Sequence, residues 1–153
     1  MITIQREKWI DCIDELMPLC QQVFELEESR FTGLQLNFDV ELFEHCEQLD
    51  SFHCLVMRKD GAAIGFHWIF ITPMLRHKGK AQAHTDAIFV NPDYRNHSAK
   101  LLQFSEQYIK ERAQFWTIAN LAANDRQAVW WRKGFQPIET IMFKKLWGEL
   151  CHL

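Results

Sequence analysis

Long apolar runs are missing from this sequence. None approaches the roughly 18 residues that a membrane-crossing helix needs. At the N-terminus, acids and Trp9 interrupt the unbroken apolar segment that a secretory signal would require. A basic excess is missing too: 17 Lys and Arg face 20 Asp and Glu, a net charge of −3, which speaks against a general nucleic-acid binder and leaves room only for a local basic patch. The five cysteines contain no CxxC pair and are odd in number, so a disulfide framework is not indicated and a reducing cytoplasm is the expected setting. His77, His84 and His97 have no metal-ligand spacing to one another or to the cysteines, so no metal site is expected. No Ser or Cys sits in a nucleophile-elbow pattern. Repeats, low-complexity stretches and linkers are absent as well. What is present is apolar mass: 48% of the residues, with twelve Phe and six Trp, enough for one substantial core. Residues 1–153 are therefore expected to form a single domain, and the surplus of aromatics suits a homodimer.

Residues 2 to 6 alternate in character and predict a short strand. From Lys8 to about Glu27 the apolar spacing is helical, with Pro18 expected to kink or split the helix, and Glu25 to Arg30 reads as an exposed turn. Asp39 is placed to cap a second helix through Leu42, Phe43, Cys46 and Leu49. Phe52–Arg58 and Ala62–Thr72 predict a hairpin turning at Asp60-Gly61, with Pro73 ending the second strand. Phe66, Trp68 and Phe70 share one face of that strand and read as core. A basic loop, Arg76 to Lys80, follows.

The chain is arranged around the next stretch. Ala87-Ile88-Phe89-Val90 suits a buried strand, and Asn91-Pro92-Asp93 stops it. After a polar loop, Ser98 can cap a helix whose Leu101, Leu102, Ser105, Tyr108, Ile109 and Arg112 recur at three- and four-residue steps. A loop feeding a helix N-terminus presents backbone N–H groups and a positive dipole end to an anion, and Arg95 adds a charge suited to phosphate. A brief strand at 115–118, a short helix at 125–133 and a final strand at 135–144 complete the pattern, with Trp147 in the tail either packing or fraying. The order of elements is that of a mixed α/β layer architecture.

Val90-Asn91-Pro92-Asp93-Tyr94-Arg95, with the helix carrying Leu101-Leu102 and Glu106, resembles the central motif of the GCN5-related N-acetyltransferases. Ala128 to Phe135, preceded by Asn124, resembles a second motif of that family, and the His77–Arg95 stretch is similar to acetyltransferases encoded by tailed bacteriophages. The likeness spans roughly residues 52–145. It implies a mixed, mostly antiparallel central sheet flanked by helices and splayed beside the fourth strand, with acetyl-CoA as co-substrate and a small-molecule or protein amine as acceptor. Ala87, Ile88, Phe89 and Val90 would pair with the pantetheine arm, and Arg95, Asn96, His97, Ser98, Ala99 and Lys100 would meet the pyrophosphate, with Asn124 also on the coenzyme. In the family this loop reads Gln/Arg-x-x-Gly-x-Gly/Ala. Here neither possible register has a glycine, and Asn96, which tolerates left-handed backbone, and Ser98 stand in.

For acid–base chemistry the likeness points to Asp86 first and His84 second as the base that takes a proton from the amine. The family's acid, a tyrosine on the helix before Gly134-Phe135, is replaced by Trp130 and Trp131, whose indoles cannot serve; Tyr94 or Tyr108 are the substitutes. The basic loop at 76–80 would favour an acidic substrate or partner. Two readings remain: a cytoplasmic N-acetyltransferase acting by direct attack in a ternary complex, or a non-catalytic module of the same fold that binds a protein, phage-encoded and working on a host protein in the host cytoplasm.

Overall fold

The computed structural model describes residues 1–122 and 124–146. Five strands form one sheet in chain order: β1 (Ile2–Glu7), β2 (Phe52–Lys59), β3 (Ala62–Pro73), β4 (Ala81–Val90) and β5 (Phe115–Thr117). The first four are antiparallel to their neighbours, while β5 lies parallel to β4. The β2–β3 hairpin turns at Asp60 and Gly61, whose φ values of 50° and 88° are the two left-handed positions of a type I′ turn.

Two helices cover one face, with a short third one between them in the chain. α1 (Trp9–Phe24) runs straight through Pro18 instead of splitting there, because its buried stripe of Trp9, Cys12, Ile13, Leu16, Leu19, Cys20 and Val23 holds both halves on the sheet. It continues into a π-helical turn, Glu25–Ser29, and a short α2 (Arg30–Thr32), where the sequence predicts an exposed turn. α3 (Val40–Gln48) starts as expected, with Asp39 accepting the Leu42 N–H. The stripe of Phe52, Phe66 and Trp68 from the sheet packs into this layer, and Phe43 of α3 stacks on Trp9 with ring centroids 4.1 Å apart.

The opposite face is covered by α4 (Ser98–Lys110), which buries Leu101, Ser105 and Ile109. Ser98 does not cap it. Residues Pro92–His97 form a 3₁₀ helix that runs directly into α4, so Ser98 is already helical and its N–H donates to the Arg95 carbonyl. The cap sits earlier, at Asn91, whose side chain accepts the Asp93 N–H.

Two strand boundaries differ from expectation. β4 starts at Ala81, since Ala83, Thr85 and Ala87 alternate inward and Gln82, His84 and Asp86 outward. The strand predicted at 135–144 is absent: Pro137 lacks a ladder donor, and three-residue β5 offers little edge to pair on. Ile138, Ile141, Met142 and Phe143 are exposed there. The short helix forms as α5 (Gln127–Arg132). Trp147 lies outside the described residues.

Candidate active site

The sheet opens beside β4. Gln82, Ala83 and His84 pair with Phe115, Trp116 and Thr117, and the pairing stops there. From Thr85 to Val90 no strand of the described residues pairs with β4 on the side away from β3. A second irregularity falls at the same level. Trp68 opposes Ala87 and Ile69 opposes Thr85, which leaves Asp86 as the extra residue of a bulge on β4. The Asn91 N–H donates to Ile64, so the alternation of the ladder turns Phe89 backbone toward β3 and leaves that of Ile88 and Val90 on the open side, an edge on which an extended ligand can add as a strand does.

At the end of this edge stand the phosphate-loop candidates. Arg95, Asn96, Ala99 and Lys100 are exposed, and His97 and Ser98 are half-buried. None has positive φ, so Asn96 does not take the left-handed conformation that would substitute for a glycine. The reason lies in the 3₁₀ helix, which spends the Tyr94 and Ser98 N–H groups on Asn91 and Arg95 carbonyls instead of leaving an open nest. What remains for an anion is the side-chain charge of Arg95 and Lys100 and the first turn of α4.

His84 and Asp86 lie on the α1 side of the sheet. His84 pairs in register with Phe70, a residue packed on the α1 core, and its Nδ1 hydrogen-bonds Thr117 Oγ1 at 2.8 Å. Asp86 remains exposed, yet protein crowds its carboxyl. That burial raises its pKa, the nearby Glu28 carboxylate raises it further, and His84 opposes both. Glu28 belongs to the π-helical turn, and the adjoining Glu27 also has a raised pKa, through burial, against the lowering effects of Asn124 and Arg126. Asn124, expected on the coenzyme, therefore lies against Glu27. The turn thus brings one carboxylate, Glu28, to Asp86, where the sequence predicts only an exposed turn; the one available signal is the density of acids at 25–28.

The tyrosines fall elsewhere. Tyr94 packs against the group Met57, Ile64, Val90 and Leu101 on the α4 side, with Lys59 Nζ 5.3 Å from its ring, on the opposite face from Asp86. Tyr108 is held in a structural network, its hydroxyl 2.7 Å from His53 Nδ1 and its ring under the Arg112 guanidinium. Trp130 packs edge-on against Phe135, and Trp131 is exposed. The loop at 76–80 is a tight solvated connection closed by Met74 and Lys80. His67, unremarked in the sequence, is fully buried in the middle of β3.

A mixed sheet that parts beside its fourth strand, with a helix N-terminus at the end of the open edge, is the architecture that the resemblance implies. The sequence profile of the acetyltransferase (GNAT) family matches residues 20–148, and the chain belongs to that family. Solved structures agree on the fold. A ribosomal-protein-alanine N-acetyltransferase from Brucella melitensis biovar Abortus 2308 superposes with a TM-score of 0.70 at 16% identity, over 97% of this chain and 100% of that one. An aminoglycoside acetyltransferase from an uncultured soil metagenomic sample, in complex with trehalose, gives 0.73 at 15%, over 95% and 96%. A predicted acetyltransferase with acetyl-CoA from Clostridium acetobutylicum gives 0.66 at 13%, over 95% and 97%. No curated protein matches the sequence.

Proposed function

We propose that this chain is an acetyl-CoA-dependent N-acetyltransferase, with the coenzyme on the open edge of β4 and an amine acceptor approaching from the π-helical turn. The observation that carries the reading is the end of β4–β5 pairing at His84–Thr117, which leaves backbone donors and acceptors at Ile88 and Val90 unpaired beside exposed Arg95 and Lys100. The donor set fits the group: strand amides and carbonyls for a pantetheine arm, two cationic side chains for a pyrophosphate. When bound, the coenzyme supplies an activated acetyl thioester.

The protein's own contribution is to hold the acceptor and move its proton. As the amine nitrogen bonds to the acetyl carbon and the carbon–sulfur bond breaks, the amine must lose a proton and the departing thiolate must gain one. Asp86 is the proton acceptor in this reading. Burial and Glu28 raise its pKa toward the range where a base works best near neutrality. Glu28 and Asp86 together favour a cationic amine over a neutral or acidic one. Asp86→Asn should reduce the release of free thiol from acetyl-CoA in the presence of a primary amine by about 10²-fold. His84, hydrogen-bonded to Thr117, orients the strand end beside it and is the second candidate.

Acetyl-CoA at about a hundred times its dissociation constant adds roughly 2.7 kcal/mol to the folded state, which for a domain of this size raises the melting midpoint by roughly 5–10 °C. Arg95→Glu should abolish the shift by setting a negative charge against the pyrophosphate. The second reading, a protein-binding module without catalysis, is favoured by the 3₁₀ helix that consumes loop amides and by Trp130 and Trp131 where the family carries its acid. An origin in a phage, which the 77–95 stretch suggests, belongs to that reading. A wild-type melting curve unmoved by millimolar acetyl-CoA would decide for it.

A further inference from the structure

Below the point where the sheet parts lies a buried polar cluster that the proposed chemistry does not use. His67 of β3 is fully buried, and each ring nitrogen meets a side chain on a different element: Nδ1 lies 2.7 Å from Ser105 Oγ on α4, and Nε2 lies 2.8 Å from Thr85 Oγ1 on β4. Trp116 of β5 completes the set by donating its indole N–H to the same Thr85 oxygen at 2.8 Å. Because the indole can only donate, Thr85 Oγ1 accepts from it, and the threonine hydroxyl keeps one hydrogen to give. Donating that hydrogen to His67 Nε2 leaves Nδ1–H to donate to Ser105. The other tautomer would leave the threonine hydrogen without an acceptor in a buried site, at a cost. Burial also pushes the His67 pKa down to about 3, so the ring is neutral whenever the protein is near neutrality.

The place of this cluster is what gives it a role. His84 is the last β4 residue paired with β5, Thr85 is the next, and Asp86 is the bulge. The passage from paired to open strand therefore crosses Thr85, and β5 is held there by a side chain, not by backbone. With only three residues, β5 has little pairing of its own to keep it in register. We propose that His67, Thr85, Ser105 and Trp116 form a clamp that fixes where β4 and β5 separate, with His67 as the positioning residue at its centre. The consequence for ligand binding rests on the reading of the open edge as the coenzyme site; the consequence for the strands does not.

The test is the variant His67→Leu/Thr85→Val/Ser105→Ala, which replaces three of the four polar partners by apolar groups, a change that buried networks often accept with little loss of stability, and leaves the half-buried Trp116 indole N–H without its acceptor. Two quantities are read: the dissociation constant for acetyl-CoA by calorimetry, and hydrogen exchange at the Trp116 indole and at the amides of residues 82–84 and 115–117. The clamp predicts a folded variant whose acetyl-CoA affinity falls about tenfold or more, as misplacement of binding groups by a distant change can do, with faster exchange at those sites. A folded variant with unchanged affinity and unchanged exchange overturns the proposal, since a merely structural cluster would leave both alone. Should the triple variant not fold, Thr85→Val is compared with Thr85→Ser, which keeps the hydroxyl. Wild-type exchange in the serine variant and accelerated exchange in the valine variant support the clamp, and identical exchange in both refutes it. If the wild-type protein binds no acetyl-CoA, the coenzyme reading fails by itself, and the exchange measurement alone decides on the clamp.

Discussion

Gly65 shows how little room single residues have near the opening. A Cβ built there would lie 2.9 Å from the Phe89 carbonyl oxygen and 3.2 Å from Val90 Cγ2, both on the open stretch of β4. Gly65→Ala should therefore push β4 away from β3, and we expect a loss of about 1–3 kcal/mol, as overpacking costs elsewhere, measured by urea unfolding. Gly61 is the opposite case. Nothing lies within 4 Å of a Cβ there, and only its φ of 88° resists a side chain. Gly61→Val should cost about 1–2 kcal/mol through backbone strain alone, and an unchanged midpoint would show that the turn relaxes. The buried histidines carry a pH dependence whose sign is fixed. Burial lowers the pKa of His67, from 6.5 to about 3, and that of His53. The unfolded chain then binds protons that the folded chain refuses, so stability is complete above about pH 6.5 and is lost as pH falls toward 3. The His67→Leu/Thr85→Val/Ser105→Ala variant should show a shallower loss of melting temperature between pH 6.5 and 4.5 than the wild type does.

At the scale of elements, what could be read from the sequence followed the rules for periodicity and capping. The Asp39 cap, the Asp60-Gly61 turn and the amphipathic spacing of α1 and α4 are local signals, and each element formed where they stood. Elements that depend on distant partners were less legible. Residues 81–86 alternate only between small and polar side chains, so the extension of β4 showed no large apolar signature, although Ala83 and Thr85 are buried. In the sequence Pro92 predicts a strand stop, but proline at a first helical position is also a start, and the 3₁₀ helix takes that option. The 135–144 segment has strand-like apolar content beside a β5 too short to receive it. The approach of Glu28 to Asp86 joins residues far apart in the chain and has no local signature at all. Element contacts also give a test that is independent of ligand. Arg58 of β2 holds Glu7 of β1 by two bonds of 2.9 Å and reaches Glu15 of α1, whose pKa is lowered first by the Ala63 N–H and then by Arg58. A lowered carboxylate contributes stability above its unfolded pKa and loses it as pH falls through the folded value. Glu15→Gln should accordingly be less stable than the wild type at pH 6, with the difference shrinking below about pH 4.

For the whole molecule, the family and the fold were legible because the strand–loop–helix at 87–110 is one continuous stretch of sequence, and the sheet forms around it in chain order. The opening in the sheet was implied by that likeness, and it is now located: it begins after His84, at a bulge, with a buried cluster beneath it. Whether this opening receives a coenzyme is the central claim, and an NMR titration tests it most directly. Acetyl-CoA is added to the ¹⁵N-labelled wild-type protein while backbone amides are followed one by one. The account predicts saturable shifts concentrated at residues 86–90 and 95–100, absent in Arg95→Glu, with the amides of β1 and α3 unmoved. Amides at 86–90 that stay fixed at saturating acetyl-CoA, or shifts that gather instead in β1 and α3, would contradict it.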